Sequence, residues 1–333
     1  MFTLDELRQA HDLVRKTLRP TPSFAWPLLE ERLGVEVVVK HENHQPTGAF
    51  KVRGGLTYCD ALRRSEPAVR GIVSATRGNH GQSLAFAGRR YGIPVTILVP
   101  HGNSFEKNAA MRALGADLIE HGSDFQAARE EAMRLAETRG LHAVPSFHRD
   151  LVRGVATYAL ELFTENPDLD VLYVPIGQGS GICGCIAARD ALGLETEIVG
   201  VQSAGAPAYA LSFAAGRVVS TASAETFADG VATRAPDEEA VAVIARGASR
   251  VALVTDVVIA EAIRAYWTDT HNLAEGAGAA PLAAAMKERA GLAGQKVGLV
   301  LSGGNIDLDL FQRWVAAAPK AAAASNLPSG RAA

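Results

Sequence analysis

Cysteine is scarce in this chain, with three among 333 residues. An odd and small set makes no disulfide framework, and Cys183 and Cys185 have the wrong spacing for a C-x-x-C redox or zinc pair. All three read as small buried residues, and the compartment expected is reducing and cytoplasmic. The nine histidines fall in no H-E-x-x-H or comparable spacing, so no metal site is expected. Charge of one sign is also short. A net charge of −3 and a pI near 6.3 give no electrostatic case for nucleic acid or an anionic membrane surface. No apolar run approaches the roughly 20 residues of a membrane span. The first residues lack the order of charge, apolar core and cleavage site of a signal peptide. What is present, 48% hydrophobic and 21% charged residues, is the composition of a folded chain with room for two domains.

Thr3 and Glu6 in "TLDE" offer a capping box for a first helix. Beyond Pro22, apolar runs alternate with helical patterns: "VEVVVK", "GIVSA", "PVTILVP", "ADLIEHG", "VLYVPIG", "EIVGVQS" and "KVGLVLSGGNID". Continuous apolar strands separated by helices of about 10 to 15 residues indicate βαβ units and a buried parallel sheet, so the class is α/β. Ligands of such sheets gather beyond the carboxyl ends of the strands. Three glycine-rich turns fall there: "SATRGNH", "PIGQGSGICG" and "LSGGN". The small-residue tail, 317–333, is expected to be disordered.

A lysine on a helix is ordinarily a solvated charge. Lys51 in "QPTGAFKVRGG" has other surroundings: Gly48 permits close backbone approach, Phe50 offers an aromatic face, and Gly54-Gly55 would weaken a surface helix. In a partly apolar cleft a lysine loses its proton more readily and becomes a nucleophile toward a carbonyl. In "GQGSGICG", backbone N–H groups at a helix start make an anion cradle suited to phosphate, with Ser180 adding a hydroxyl. Gly179, Gly181 and Gly184 also satisfy G-x-G-x-x-G for a dinucleotide, but the following strand ends at Gln202 instead of an acidic residue, which weakens a nicotinamide oxidoreductase reading. Asn79 and the N–H groups around Gly78 can receive a carboxylate or phenolic oxygen, or serve only as a turn. His80 reads equally as a helix-start packing residue, and Ser302 as a chain-turn cap.

Taken in order, these stretches resemble the fold-type II pyridoxal-phosphate enzymes (tryptophan synthase β-like), in the threonine dehydratase and serine racemase branch. "QPTGAFKVRGG" resembles the Schiff-base lysine segment, "RGNHGQS" the "SGNHGQA" loop, "PIGQGSGICG" the tetraglycine phosphate loop, and "LSGGNID" the closing "SGGN" motif. "FADGVA" and "EGAGAAPLAA" are weaker similarities. The resemblance implies pyridoxal 5'-phosphate as cofactor. It makes Lys51 its covalent anchor and the base for the α-proton, with Phe50 lining the ring pocket. Asn79 would bond the 3-hydroxyl oxygen, and Gly177, Gln178, Gly179, Ser180 and Gly181 would cradle the phosphate. Ser302 would face the pyridine nitrogen, and Thr76, Arg77, Gly78 and His80 would meet the substrate. It further implies a large domain of 1–51 and 147–316, a small domain of 52–146, and a homodimer or higher homo-oligomer.

The activity implied is β-elimination from L-threonine, and L-serine, to a 2-oxo acid and ammonia. The length leaves no room for an appended regulatory domain, which favours a catabolic or specialised role. A dehydratase for a bulkier or acidic 3-hydroxy amino acid such as 3-hydroxyaspartate, and a catalytically silent cofactor binder, are the other readings. Three departures bear on the choice. Gln178 and Ser180 replace glycines of the phosphate loop. Arg77 stands where racemases have a serine proton donor. Gln202 and Ala208 stand where metal-binding relatives have acidic ligands.

Overall fold

The structure, a computed structural model, describes residues 1–316, so the tail lies outside the described residues. α1 (Leu4–Arg15) opens on the expected capping box: Thr3 Oγ1 accepts from the Glu6 N–H at 3.2 Å, and the Thr3 N–H donates to the Glu6 carboxylate at 2.8 Å. β1 (Ser23–Ala25), α2 (Pro27–Leu33), β2 (Glu36–His41) and α3 (Lys51–Ser65) follow. Next come β3 (Ile72–Ala75), α4 (Asn79–Tyr91), β4 (Val95–Val99), α5 (Phe105–Ala113), β5 (Asp117–Glu120), α6 (Phe125–Arg139) and β6 (His142–Ala143). α7 (Arg149–Glu165), β7 (Val171–Pro175), α8 (Ser180–Leu192), β8 (Glu197–Ser203) and α9 (Ala208–Ala215) come after these. α10 (Glu238–Gly247), β9 (Arg250–Val254), α11 (Asp256–Thr270), α12 (Gly276–Glu288) and β10 (Lys296–Leu301) follow, and a short helix, α13 (Leu308–Phe311), comes after β10.

The strands form two sheets. One has the order β1-β2-β10-β7-β8-β9 and is parallel except for β1, which runs antiparallel to β2. The other is β5-β4-β3-β6, parallel throughout. The continuous apolar runs have a plain cause, since both faces of the larger sheet are covered. Val37, Val39, Tyr173, Val199 and Leu299 pack toward α2, α11 and α12, while Val38, Leu172, Val174, Ile198 and Val300 pack toward α7, α8 and α10. β10, last in sequence, lies between β2 and β7, with Leu301 opposite His41. That insertion brings the chain after Leu301 against the segment that leads into α3. No helix among the described residues is long and apolar enough to cross a membrane.

A buried charge network seats α3. The Arg53 guanidinium, fully buried, forks onto the Glu42 carboxylate at 2.8 and 2.9 Å and onto Glu161 at 2.8 Å from both terminal nitrogens. Lys40 Nζ, also buried, donates to Glu161 at 2.8 Å and to the Thr21 carbonyl at 2.8 Å. Burial alone would lower the Arg53 pKa; the two carboxylates outweigh it and raise it. Two carboxylates and two cations therefore tie β2, α3 and α7 together. Removing one partner strands the others in a site without water. Arg53→Met is expected to cost about 3–5 kcal/mol in urea unfolding, and a loss below about 1 kcal/mol would show that the network does not hold α3 in place.

Candidate active site

Lys51 is the first residue of α3, and that helix has no side-chain cap. The chain before it is held by backbone instead. Ala49 pairs antiparallel with Gly303, the Phe50 N–H donates to the Ser302 carbonyl at 3.0 Å, and the Gly304 N–H donates to the Gly48 carbonyl at 2.9 Å. Gly48 sits at φ +66°, the left-handed region in which a side chain is strained. Ser83 Oγ donates to the Lys51 carbonyl at 2.6 Å, bringing α4 against α3, and Gly55 lies so close to Ser83 that a Cβ would collide. The Lys51 side chain keeps partial exposure to the cleft. Its Nζ lies 5.3 Å from the Phe50 ring centroid and 3.4 Å from Ser180 Oγ. Burial lowers its pKa to about 8 against the opposing charge of Glu275.

The turn between β3 and α4 supplies the next group. Thr76 Oγ1 accepts the Gly78 N–H at 3.0 Å and shapes the turn. Asn79 donates from Nδ2 to Glu275 at 2.5 Å and accepts at Oδ1 from Asn305 Nδ2 at 2.8 Å, leaving one amide hydrogen without an acceptor among the described residues. His80 is buried, its Nε2 has no hydrogen-bond partner, and burial together with the Lys51 charge lowers its pKa to about 3. Arg77 does not extend freely into water. Half exposed, it pairs with Asp229 at 3.2 Å.

The turn after β7 is built for close approach. Gly177 faces the Gly230 carbonyl with no space for a Cβ, and Gly179 sits at φ +95° against Ala240. The Gln178 carbonyl accepts the Tyr209 hydroxyl at 2.9 Å, and the Gly181 carbonyl accepts the Tyr158 hydroxyl at 3.3 Å. α8 has no side-chain cap, so its first N–H groups are left for an anion. Ser302 is buried where β10 ends. An amine, an uncapped helix start and a hydroxyl thus share one cleft at the carboxyl ends of the strands.

Residues 14–303 match the family described as pyridoxal-phosphate dependent enzyme. The chain belongs to this family. Among its relatives, the L-threonine ammonia-lyase of Geobacter sulfurreducens is 37% identical, covering 91% of this chain and 75% of its own. The L-threo-3-hydroxyaspartate ammonia-lyase of a Pseudomonas species is 30% identical, covering 92% and 98%. The structure of maize serine racemase is similar at a TM-score of 0.88 and 27% identity, covering 93% of this chain and 96% of that one. The cleft of this pyridoxal-phosphate-dependent enzyme fits its cofactor: Lys51 offers the amine for the aldehyde and the start of α8 a cradle for the phosphate.

Sequence reasoning passed over three residues of the cleft. Glu275, the buried residue before α12, bonds Asn79 and lies 3.4 Å from Lys107 Nζ; Lys107 in turn lies 3.9 Å from Asp229. Burial raises the Glu275 pKa against the pull of Lys107 and Asn79. Burial alone would lower the Lys107 pKa, but Glu275 and Asp229 raise it above its ordinary value. A cavity of about 240 Å³ borders Lys107, Asp229, Glu275 and Asn305. A lone acid ahead of the apolar run "GAGAAPLAA" was the available signal for Glu275; nothing local marked Lys107. Gln202 is accounted for within the fold, its Oε1 accepting the N–H groups of Tyr209 at 2.9 Å and Ala210 at 3.1 Å at the start of α9. Among the described residues no His, Cys, Asp or Glu cluster converges as a metal site. In the cofactor-free protein, acetic anhydride is expected to label Lys51 with a midpoint near pH 8, reading the neutral amine above that pH. Labelling that rises only with the bulk lysines, near pH 10.4, would contradict the enclosed amine.

Proposed function

We propose that this chain dehydrates a β-hydroxy amino acid, L-threonine foremost and L-serine second, releasing a 2-oxo acid and ammonia. The observation that carries the reading is Lys51 itself: an amine lowered to about 8 by burial, beside an uncapped helix start suited to phosphate. Pyridoxal phosphate, when bound, supplies an electron sink for charge developing at the α-carbon. The protein does the rest. Lys51 Nζ serves as anchor and then as base for the α-proton. The start of α8, from Gly177 to Gly181, holds the phosphate. Ser302, a neutral hydroxyl, would face the ring nitrogen of the bound cofactor and would not favour full protonation there, which suits elimination over longer-lived carbanion chemistry. Asn79 would bond the ring hydroxyl, Phe50 would flank the ring, and Thr76, Gly78 and His80 would meet the substrate carboxylate. The boundaries 52–146 for the small domain and the two flanks, 1–51 and 147–316, for the large one belong to the same reading.

Arg77 favours a neutral side chain on the substrate. One of its terminal nitrogens, Nη1, already donates to Asp229 at 3.2 Å, so a second carboxylate would compete with a charge already in place. A basic arginine in place of a hydroxyl also leaves no proton donor of the racemase kind at that position. A reducing, cytoplasmic setting is supported by three unpaired buried cysteines, and a homo-oligomer by the exposed apolar side chains of Leu28, Val257 and Leu308.

Assay of 2-oxo acid release across a panel of 3-hydroxy amino acids tests the proposal, with L-threonine expected first. No release from any of them would leave a silent cofactor binder. Lys51→Ala is expected to fold and to lose essentially all turnover, while borohydride reduction of the wild type labels Lys51; label on another lysine would defeat the assignment. Arg77→Ser should change kcat/KM for L-threonine less than about fivefold, since a half-exposed ion pair contributes about 0.2–1 kcal/mol. A loss of about ten- to a hundredfold confined to 3-hydroxyaspartate would restore the acidic-substrate reading.

A further inference from the structure

Dehydration needs two proton movements, one off the α-carbon and one onto the departing hydroxyl, because hydroxide leaves poorly. Lys51 accounts for the first, and the chain's own groups around it decide the second. His80 is buried and held neutral, and among the described residues its Nε2 has no hydrogen-bond partner to resupply a proton. Glu275 is committed through Oε1 to Asn79 and through Oε2 to Lys107. Ser180 differs from both. It is 3% exposed, stands first in α8, and its Oγ accepts from Lys51 Nζ at 3.4 Å. Among the described residues its own hydroxyl hydrogen has no acceptor. Ser180 is also one of the residues by which this loop departs from an all-glycine turn: its backbone belongs to the phosphate cradle, and its hydroxyl is a group that a backbone cradle does not require.

We propose that Ser180 is a further catalytic residue, passing a proton from Lys51 Nζ to the β-hydroxyl as that group departs. The proposal rests on the dehydratase reading above. Neutral Lys51 takes the α-proton and becomes an ammonium. Lys51 then gives a proton to Ser180 Oγ while Ser180 gives its own hydrogen to the β-oxygen. The Cα–H electron pair forms the Cα–Cβ double bond, and the Cβ–O pair leaves on oxygen as water. Lys51 ends as the neutral amine and Ser180 as the hydroxyl, so the protein is unchanged. The relay also ties both proton movements to one face of the substrate, the face on which Lys51 lies.

The test compares leaving groups in the holoenzyme. L-Threonine must lose a protonated oxygen, whereas β-chloro-L-alanine loses chloride, which needs no proton. Ser180→Ala and Ser180→Gly are expected to lower kcat/KM for L-threonine about a hundredfold more than for β-chloro-L-alanine, whatever loss the two substrates share, with Ser180→Thr restoring most of that difference. In the cofactor-free protein, Ser180→Ala should also move the pH midpoint of Lys51 acetylation downward, because the ammonium loses an acceptor. Equal losses on both substrates, accompanied by weaker cofactor binding, would assign the hydroxyl to the phosphate cradle and overturn the relay. So would unchanged kinetics on L-threonine. A wild type that dehydrates no 3-hydroxy amino acid would sink the dehydratase reading and the relay together; a wild type that does so, with indifferent variants, sinks the relay alone.

Discussion

Two backbone hydrogen bonds, Phe50 N–H to Ser302 carbonyl and Gly304 N–H to Gly48 carbonyl, join the start of α3 to the end of β10. They exist because the last strand of the chain is inserted between β2 and β7. Were β10 at an edge, the lysine segment would have no partner and α3, uncapped, would have no fixed start. The insertion also collects the turn after β7 and the residue before α12 around the same point, since the Glu275 N–H donates to the Gly303 carbonyl at 3.0 Å. Gly303 is hemmed in by Glu275 and Ala49, and Gly278 by the Gly303 carbonyl, so the junction admits little side-chain bulk.

Charge is treated in two ways within one fold. In the network of Arg53, Glu42, Glu161 and Lys40, each buried ion has an opposite partner, and the guanidinium pKa rises while that of Glu161 falls despite burial. In the cleft the compensation is incomplete. Desolvation prevails, lowering Lys51 and His80 and raising Glu275. Groups left short of partners in this way are the ones able to change protonation during a reaction. The satisfied network keeps Lys51 in register only two residues away from Arg53.

Asp229 and Lys107 give the cleft mouth its character. Asp229 comes from the larger-sheet side, in the short helical turn Asp229–Val231, and faces Arg77 and Lys107 from the smaller-sheet side. These ion pairs span the two halves of the molecule. The setting of Arg77 therefore depends on a pairing between segments far apart in the chain, and not on its own identity alone.

The α/β class was legible because strands buried on both faces must be apolar throughout, and that leaves continuous runs such as "VTILV" and "VLYVP". The lysine segment, the three glycine-rich turns and their order were legible too, since close backbone approach demands glycine and glycine is conspicuous. β1 and β6 escaped because three and two residues carry no period, β9 was passed over as a half-buried edge strand, and α12 escaped because glycines and Pro281 argue locally against a helix that packing nonetheless enforces. By itself the sequence determined which residues could do chemistry and roughly where along the strands they would sit. The tertiary structure alone decided that Arg77 meets Asp229, that Glu275 meets Asn79 and Lys107, and that Ser180 touches Lys51. Local sequence encodes local backbone geometry, whereas these contacts follow from how two sheets and their helices pack across a cleft.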